Sequence, residues 1–112
     1  MFVNSYHQVV VTGKVVKDIE LKTLQNGQSV VNLAIPTNNV IRENGETTTV
    51  TTWFKVVLYA KTAEITAAKV NKGDYVMVRG HLKPEIAIWQ SPDGPKASYE
   101  VLADEIIFLN RE

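Results

Sequence analysis

Thr49-Val50-Thr51-Thr52-Trp53-Phe54-Lys55-Val56-Val57-Leu58-Tyr59 is the stretch on which the fold turns. β-Branched and aromatic residues fill it, and it alternates with a period of two, the mark of a strand with one face on a core. Val50, Thr52, Phe54, Val56 and Leu58 form one face, suited to a barrel interior. Thr51, Trp53, Lys55, Val57 and Tyr59 form the outward face. The period then breaks. Thr62 to Val70 (TAEITAAKV) is alanine-rich and reads as a short helix. Thr62 is its expected N-cap, Glu64 suits the first turn, Lys69 the last turn, and Asn71-Lys72-Gly73 supplies a C-cap glycine. Tyr75 to Leu82 (YVMVRGHL) returns to period two, with Val76, Val78, Gly80 and Leu82 inward and Met77, Arg79, His81 and Lys83 outward.

Working outward, Gln8 to Val16 is the first strand, with Gly13 in its middle as a sign of a bulge or sharp bend. Val9, Val11 and Val15 take one side of it, Thr12 and Lys14 the other. Asn26-Gly27 marks a hairpin before the second strand, Ser29 to Pro36. Thr37 to Thr48 reads as a long polar loop with Asn44-Gly45 at its tip, and Ser91 to Pro95 is a turn cluster. Ala97 to Phe108 is the fifth strand. Five strands with one short helix between the third and fourth is the order of the OB fold, an all-β, partly open barrel. A β-sandwich would more often need seven strands or more. The 112 residues fit one such domain, 1–112, with no internal repeat.

Composition narrows the function. There is no cysteine, so a disulfide scaffold, a zinc ribbon and a thiol nucleophile are excluded. The formal net charge is zero, which taken alone argues against a generic cationic nucleic-acid binder. The sum hides a segregation: residues 1–96 hold eleven of the twelve basic residues and eight of the twelve acids, and residues 97–112 carry Glu100, Asp104, Glu105 and Glu112. The N-terminus lacks the pattern of a signal peptide, and no apolar run is long enough to span a bilayer. The expected location is the cytoplasm, with no membrane partner.

Sorted by face, Trp53, Tyr59, Lys55, Lys14, Arg79 and Lys83 gather outside the barrel. Trp89 precedes the Ser91–Pro95 turn and lies on a hairpin arm able to fold over the strand; Arg42, in the other long loop, is able to do the same. Bases of a single strand stack on indole and phenol rings, and Lys and Arg between the rings follow the phosphates. A strand tryptophan is more often core, but a solvated face rarely carries several large rings beside cations. The pattern alone leaves a nucleic acid and a protein partner both open.

Chemistry of other kinds finds little footing. His7 and His81 are the only histidines and have no ligand spacing, so no metal is expected. Asp18 and Glu20 share a face of an extended segment, but a glycosidase-type pair needs a cleft and flanking aromatics. No nucleophile elbow and no phosphate-cradling glycine loop occur. No enzyme activity, cofactor or small-molecule substrate is expected.

The chain resembles the bacterial-type single-stranded DNA-binding proteins, the homotetrameric OB-fold family, from about residue 5 to residue 109. Five blocks in order carry the resemblance: Val9 to Glu20, Asn26 to Ile35, Thr52 to Glu64, Lys72 to Leu82, and Tyr99-Glu100-Val101. It implies sequence-independent binding and protection of single-stranded DNA in replication, recombination and repair, and assembly as a homotetramer. It puts Trp53, Tyr59 and Trp89 on stacking positions and Lys55, Lys61 and Lys72 on basic ones. Counting to Trp89 from either side places an insertion or bulge between Lys83 and Ile88, where Pro84 agrees with a break in pairing. The rival expectation is an OB-fold interaction module of a replication-restart complex with weak DNA binding. Departures from the family pattern are Val40 in place of a tryptophan, Ile19 in place of a proline and Ala60 in place of a glycine. The chain also ends at Glu112 without the family's linker and acidic tip, as expected of a truncated or tail-less form.

Overall fold

The computed structural model describes residues 6–83, 87–92 and 94–109. The five principal strands are β1 (Val9–Lys14), β3 (Ser29–Glu43), β4 (Glu46–Tyr59), β5 (Tyr75–Leu82) and β7 (Gly94–Phe108). The helix α1 (Ala60–Lys69) joins β4 to β5, as the alanine-rich break in the period requires. Two short strands add to the expected set. β2 (Leu21–Thr23) pairs with the start of β3 across the Asn26-Gly27 turn, and β6 (Ala87–Ser91) forms a hairpin with the start of β7.

The strands hydrogen-bond in the order β1-β5-β7-β4-β3-β2. β7 runs parallel to β4 and antiparallel to β5, so it fills the gap between them. A single bond from the Val16 amide to the Ala34 carbonyl, 3.2 Å, links the end of β1 to β3 and leaves a partly open barrel. Its core is Val11, Val15, Val31, Leu33, Ile35, Val56, Leu58, Val76, Val78 and Val101, with Ala63 and Val70 capping it from the helix side. Period-two burial follows from the pleat: β5 buries Val76, Val78 and Gly80 and turns Tyr75 and Arg79 to solvent.

Several expectations need correction. Thr37 to Thr48 is not a loop but the far part of the β3–β4 hairpin, paired to the Glu43–Glu46 position. The threonine run favours extended backbone, and Asn44 and Gly45 both take positive φ, 52° and 81°, the two-residue turn that matches strand twist. Val50 is exposed because this arm extends past the core. Leu82, the last residue of β5, is also exposed. The irregularity expected at Gly13 lies instead opposite the Arg79–Gly80 step, where Asp104 is the extra residue of β7; a Cβ on Gly80 would collide with the Leu102 carbonyl oxygen. Gly13 pairs with Val76 in unbroken register and serves close approach instead: a Cβ there would meet Ile35 Cγ2 at 2.7 Å.

The helix starts at Ala60, not after Thr62. Tyr59 is its N-cap without a side-chain cap bond, and no acid occupies the first turn. The Thr62 carbonyl accepts from the Thr66 hydroxyl, and Glu64 accepts from the Ser29 hydroxyl at 3.2 Å. Lys69 does sit in the last turn, but the C-cap is Val70, extended; Gly73, at φ 98°, lies in the tight turn beyond. No helix of the described residues is long and apolar enough to cross a membrane.

Candidate nucleic-acid interface

β4 presents two large rings on its outer side. Trp53 is 46% exposed and Tyr59 39% exposed, with Lys55 between them. They lie on one face because all three are odd-numbered positions of one unbroken register, opposite Pro36, Ala34 and Val30 of β3. Val57, expected outward beside them, is buried, flanked in register by Asn32 of β3 and Leu102 of β7. The aromatic face is thus two open rings over a floor closed at Val57.

The cations divide into two groups. Those on β4, on β5 and just beyond its end meet the acids of β7. Lys55 Nζ lies 3.2 Å and Lys83 Nζ 2.9 Å from the two carboxylate oxygens of Glu100. Arg79 pairs with Glu105 at 2.8 Å, and His81 Nδ1 lies 3.0 Å from Asp104. The lysine ammonium groups, Lys83 first, hold the Glu100 carboxyl below the usual carboxylate range against the opposing effect of burial. The segregation of acids to the chain's end is therefore undone in space: β7 carries them between the two strands that hold the cations.

The second group is exposed and makes no ion pair among the described residues: Lys14, Arg42, Lys61 and Lys72. The fold brings only Lys14 toward Trp53: its neighbour Gly13 packs against Ile35 and Pro36 of β3, and Pro36 stands opposite Trp53. Arg42 is near the tip of the β3–β4 arm, opposite Thr47, and does not fold over the strand. Lys61 is on α1, and Lys72 is in the turn after it. Trp89 lies on β6 opposite Lys96, so the hairpin arm is as expected; the placement of its side chain lies outside the described residues, as do Pro84 and its neighbours 85 and 86.

Sequence reasoning missed the β7 acids as part of this face, and it missed a small ring cluster. The Leu82 amide donates to His7 Nε2 at 3.1 Å, and the rings of Tyr6 and His7 meet His81 edge-on, with centroids 5.7 and 5.5 Å away. No local signal announces contacts between residues 75 apart. Asp18 and Glu20 are exposed in the segment before β2, where Glu20 faces Lys22 at 3.6 Å, so they line no cleft. Among the described residues no cluster of three His, Asp or Glu is arranged to hold a metal.

An open OB barrel with two exposed rings and a lysine between them on one strand is the architecture of domains that bind a ligand across a sheet face. Residues 6–109 match the model of the single-strand binding protein family, and the chain belongs to that family. It is 28% identical over 107 residues to a single-stranded DNA-binding protein of Neisseria meningitidis, covering 94% of this chain and 60% of that protein. It is also 28% identical over 109 residues to one from Thermotoga maritima, covering 96% and 76%. The chain thus spans 60% of the length of the Neisseria relative. In three dimensions it resembles the Plasmodium falciparum SSB solved in complex with ssDNA, with a TM-score of 0.76, 26% identity, and 98% and 100% of the two chains covered.

Proposed function

We propose that this domain binds single-stranded DNA with little sequence preference, stacking bases on Trp53 and Tyr59 and meeting phosphates with lysines around them. The observation that carries it is the pair of exposed rings flanking Lys55 on one face of β4, in a chain of this family. Lys55 and Lys83 are the phosphate contacts next to the rings; Lys14, Arg42, Lys61, Lys72 and Arg79 are contacts for a strand that wraps further, and Trp89 is the ring on the β6–β7 arm. The role is to keep the strand unpaired and protected in replication, recombination and repair, in the cytoplasm at the nucleoid. It is a binding role, not an enzymatic one. The interaction-module reading gains nothing specific, since both β4 rings stay open to solvent. Adding oligo-dT should quench the tryptophan fluorescence; unchanged fluorescence and no complex by mobility shift would refute the reading.

We also propose assembly of this chain with itself, as a homotetramer. Val10 of β1 and Ile107 of β7 are exposed large apolar residues on the face shared with Met77 of β5, and β1 is an edge of the sheet. Such a face and edge favour a second copy. Sedimentation equilibrium should give roughly four times 12.5 kDa; a monomer mass at micromolar concentration would exclude it.

A further inference from the structure

Glu100 occupies an unusual position on the face just described. β7 runs between β4 and β5, so Glu100 lies opposite Lys55 on one side, while the Lys83 amide donates to its carbonyl oxygen at 2.8 Å on the other. Its side chain is 15% exposed, whereas those of Lys55 and Lys83 are 53% and 48% exposed. One carboxylate oxygen takes Lys55 and the other takes Lys83. The Lys55 ammonium has three donors, of which Glu100 takes one, so it keeps donors for an outside acceptor. Two cations are thus held side by side by one less exposed anion, beside Trp53.

We propose that Glu100 is an internal counter-ion of the DNA path: it positions the two ammonium groups and cuts their joint charge from two to one. It thereby lowers both affinity and salt sensitivity. The inference rests on the single-stranded DNA reading above. The physical ground is counterion release. Each phosphate neutralised on a single strand adds about 0.7 to the slope of log affinity against log salt. Two ammonium groups sharing a carboxylate neutralise one phosphate between them, where two unshared ones neutralise two. The arrangement shifts binding from ionic attraction toward stacking on Trp53 and Tyr59, which salt does not screen. It also accounts for a nucleic-acid face in a chain of zero net charge.

Salt titrations of oligo-dT binding, followed by tryptophan fluorescence, test it on the full chain. Glu100→Gln keeps the shape and removes the charge. It should steepen the slope by about 0.7 and raise affinity on the order of eightfold at about 50 mM salt, the curves converging near about 1 M. Glu100→Asp, which keeps the charge, should track the wild type. Glu20→Gln makes the same change of net charge on a carboxylate that faces only Lys22, and it should move the slope less than half as much. An unchanged or weaker Glu100→Gln complex overturns the proposal, and so does an equal shift in Glu20→Gln, which would make overall charge the cause. Should Glu100→Gln fail to fold, Lys83→Gln reads the same trio. It should lower the slope by about 0.7, with no further fall on adding Lys55→Gln; a second equal fall overturns the proposal. A wild type that binds no oligo-dT at any salt removes the DNA reading itself, whereas normal binding with an unmoved Glu100→Gln slope removes the counter-ion alone.

Discussion

The β3–β4 ladder is one continuous hairpin with two environments. From Val30↔Tyr59 up to Pro36↔Trp53 it forms a wall of the barrel, burying Val31, Leu33, Ile35, Val56 and Leu58. From Thr37↔Thr52 to Glu43↔Glu46 the same pairing continues, yet nearly every residue is exposed. The backbone bonds are alike in the two halves. What differs is whether a second layer lies behind. Side-chain alternation has an inside only where there is a core to face, and Trp53 stands at the border, with the wall below it and the arm above.

The largest effect should come from the wall. Leu58 is fully buried against the barrel interior, so Leu58→Ala removes apolar contacts and leaves a cavity costing about 2–5 kcal/mol. Urea unfolding followed by circular dichroism should show a midpoint far below that of the wild type. A loss under about 1 kcal/mol would mean that the site collapses freely and that the wall is less tightly packed than its burial indicates.

At the border the effect should move from stability to binding. Trp53 is half open and faces away from the core, so Trp53→Ala should weaken oligo-dT binding by about 1–3 kcal/mol, the worth of one stacked base. It should also remove most of the fluorescence quenching. Unfolding should shift by no more than about 1 kcal/mol. If stability fell as far as in Leu58→Ala while binding survived, Trp53 would belong to the wall and not to the interface.

At the lower end of β4 the chain turns into α1 through Ala60, whose φ of 55° lies in the left-handed region. The Cβ of an L-residue crowds the carbonyl there, at about 1–2 kcal/mol, and glycine avoids the clash while adding chain entropy of about 0.5–1 kcal/mol. Ala60→Gly should therefore stabilise the domain by about 0.5–1 kcal/mol, read as a higher midpoint in thermal unfolding. A lower midpoint would show that the surrounding structure accommodates the alanine without strain.

How much of this was legible depends on where a residue lies. The five principal strands, the helix between β4 and β5 and the Asn44-Gly45 turn follow from period and local chemistry, which are properties of neighbours in sequence. The two β4 rings on one side of the strand follow from the same period. The arm has the polar composition of a loop, and only the β-branched threonines of 47–49 and the two-residue turn mark it as paired strand. Val50 is exposed and Val57 buried against their alternation, because alternation gives the side of a strand, not what covers it. The pairing of Lys55 and Lys83 with Glu100 was out of reach for another reason. It exists only because β7 inserts parallel to β4, and a parallel neighbour some 45 positions later leaves no trace in local sequence.

The smallest effect should come from the arm, and it tests the comparison most directly. Val50 occupies the side of β4 that carries Phe54, Val56 and Leu58 lower down, and by alternation alone it is their equal. Opposite it stands Asn39, and neither has a core behind it. If burial sets the cost, Val50→Ala should change stability by less than about 0.5 kcal/mol, through a small loss of β-propensity and cross-strand contact. Paired with Leu58→Ala under the same urea series, it gives a ratio of several-fold between two positions of one face of one strand. A cost for Val50→Ala near that of Leu58→Ala would mean that something covers the arm in solution. The natural cover is another copy of the chain, so the next measurement would be the concentration dependence of that cost: it should grow with assembly and vanish in dilute monomer.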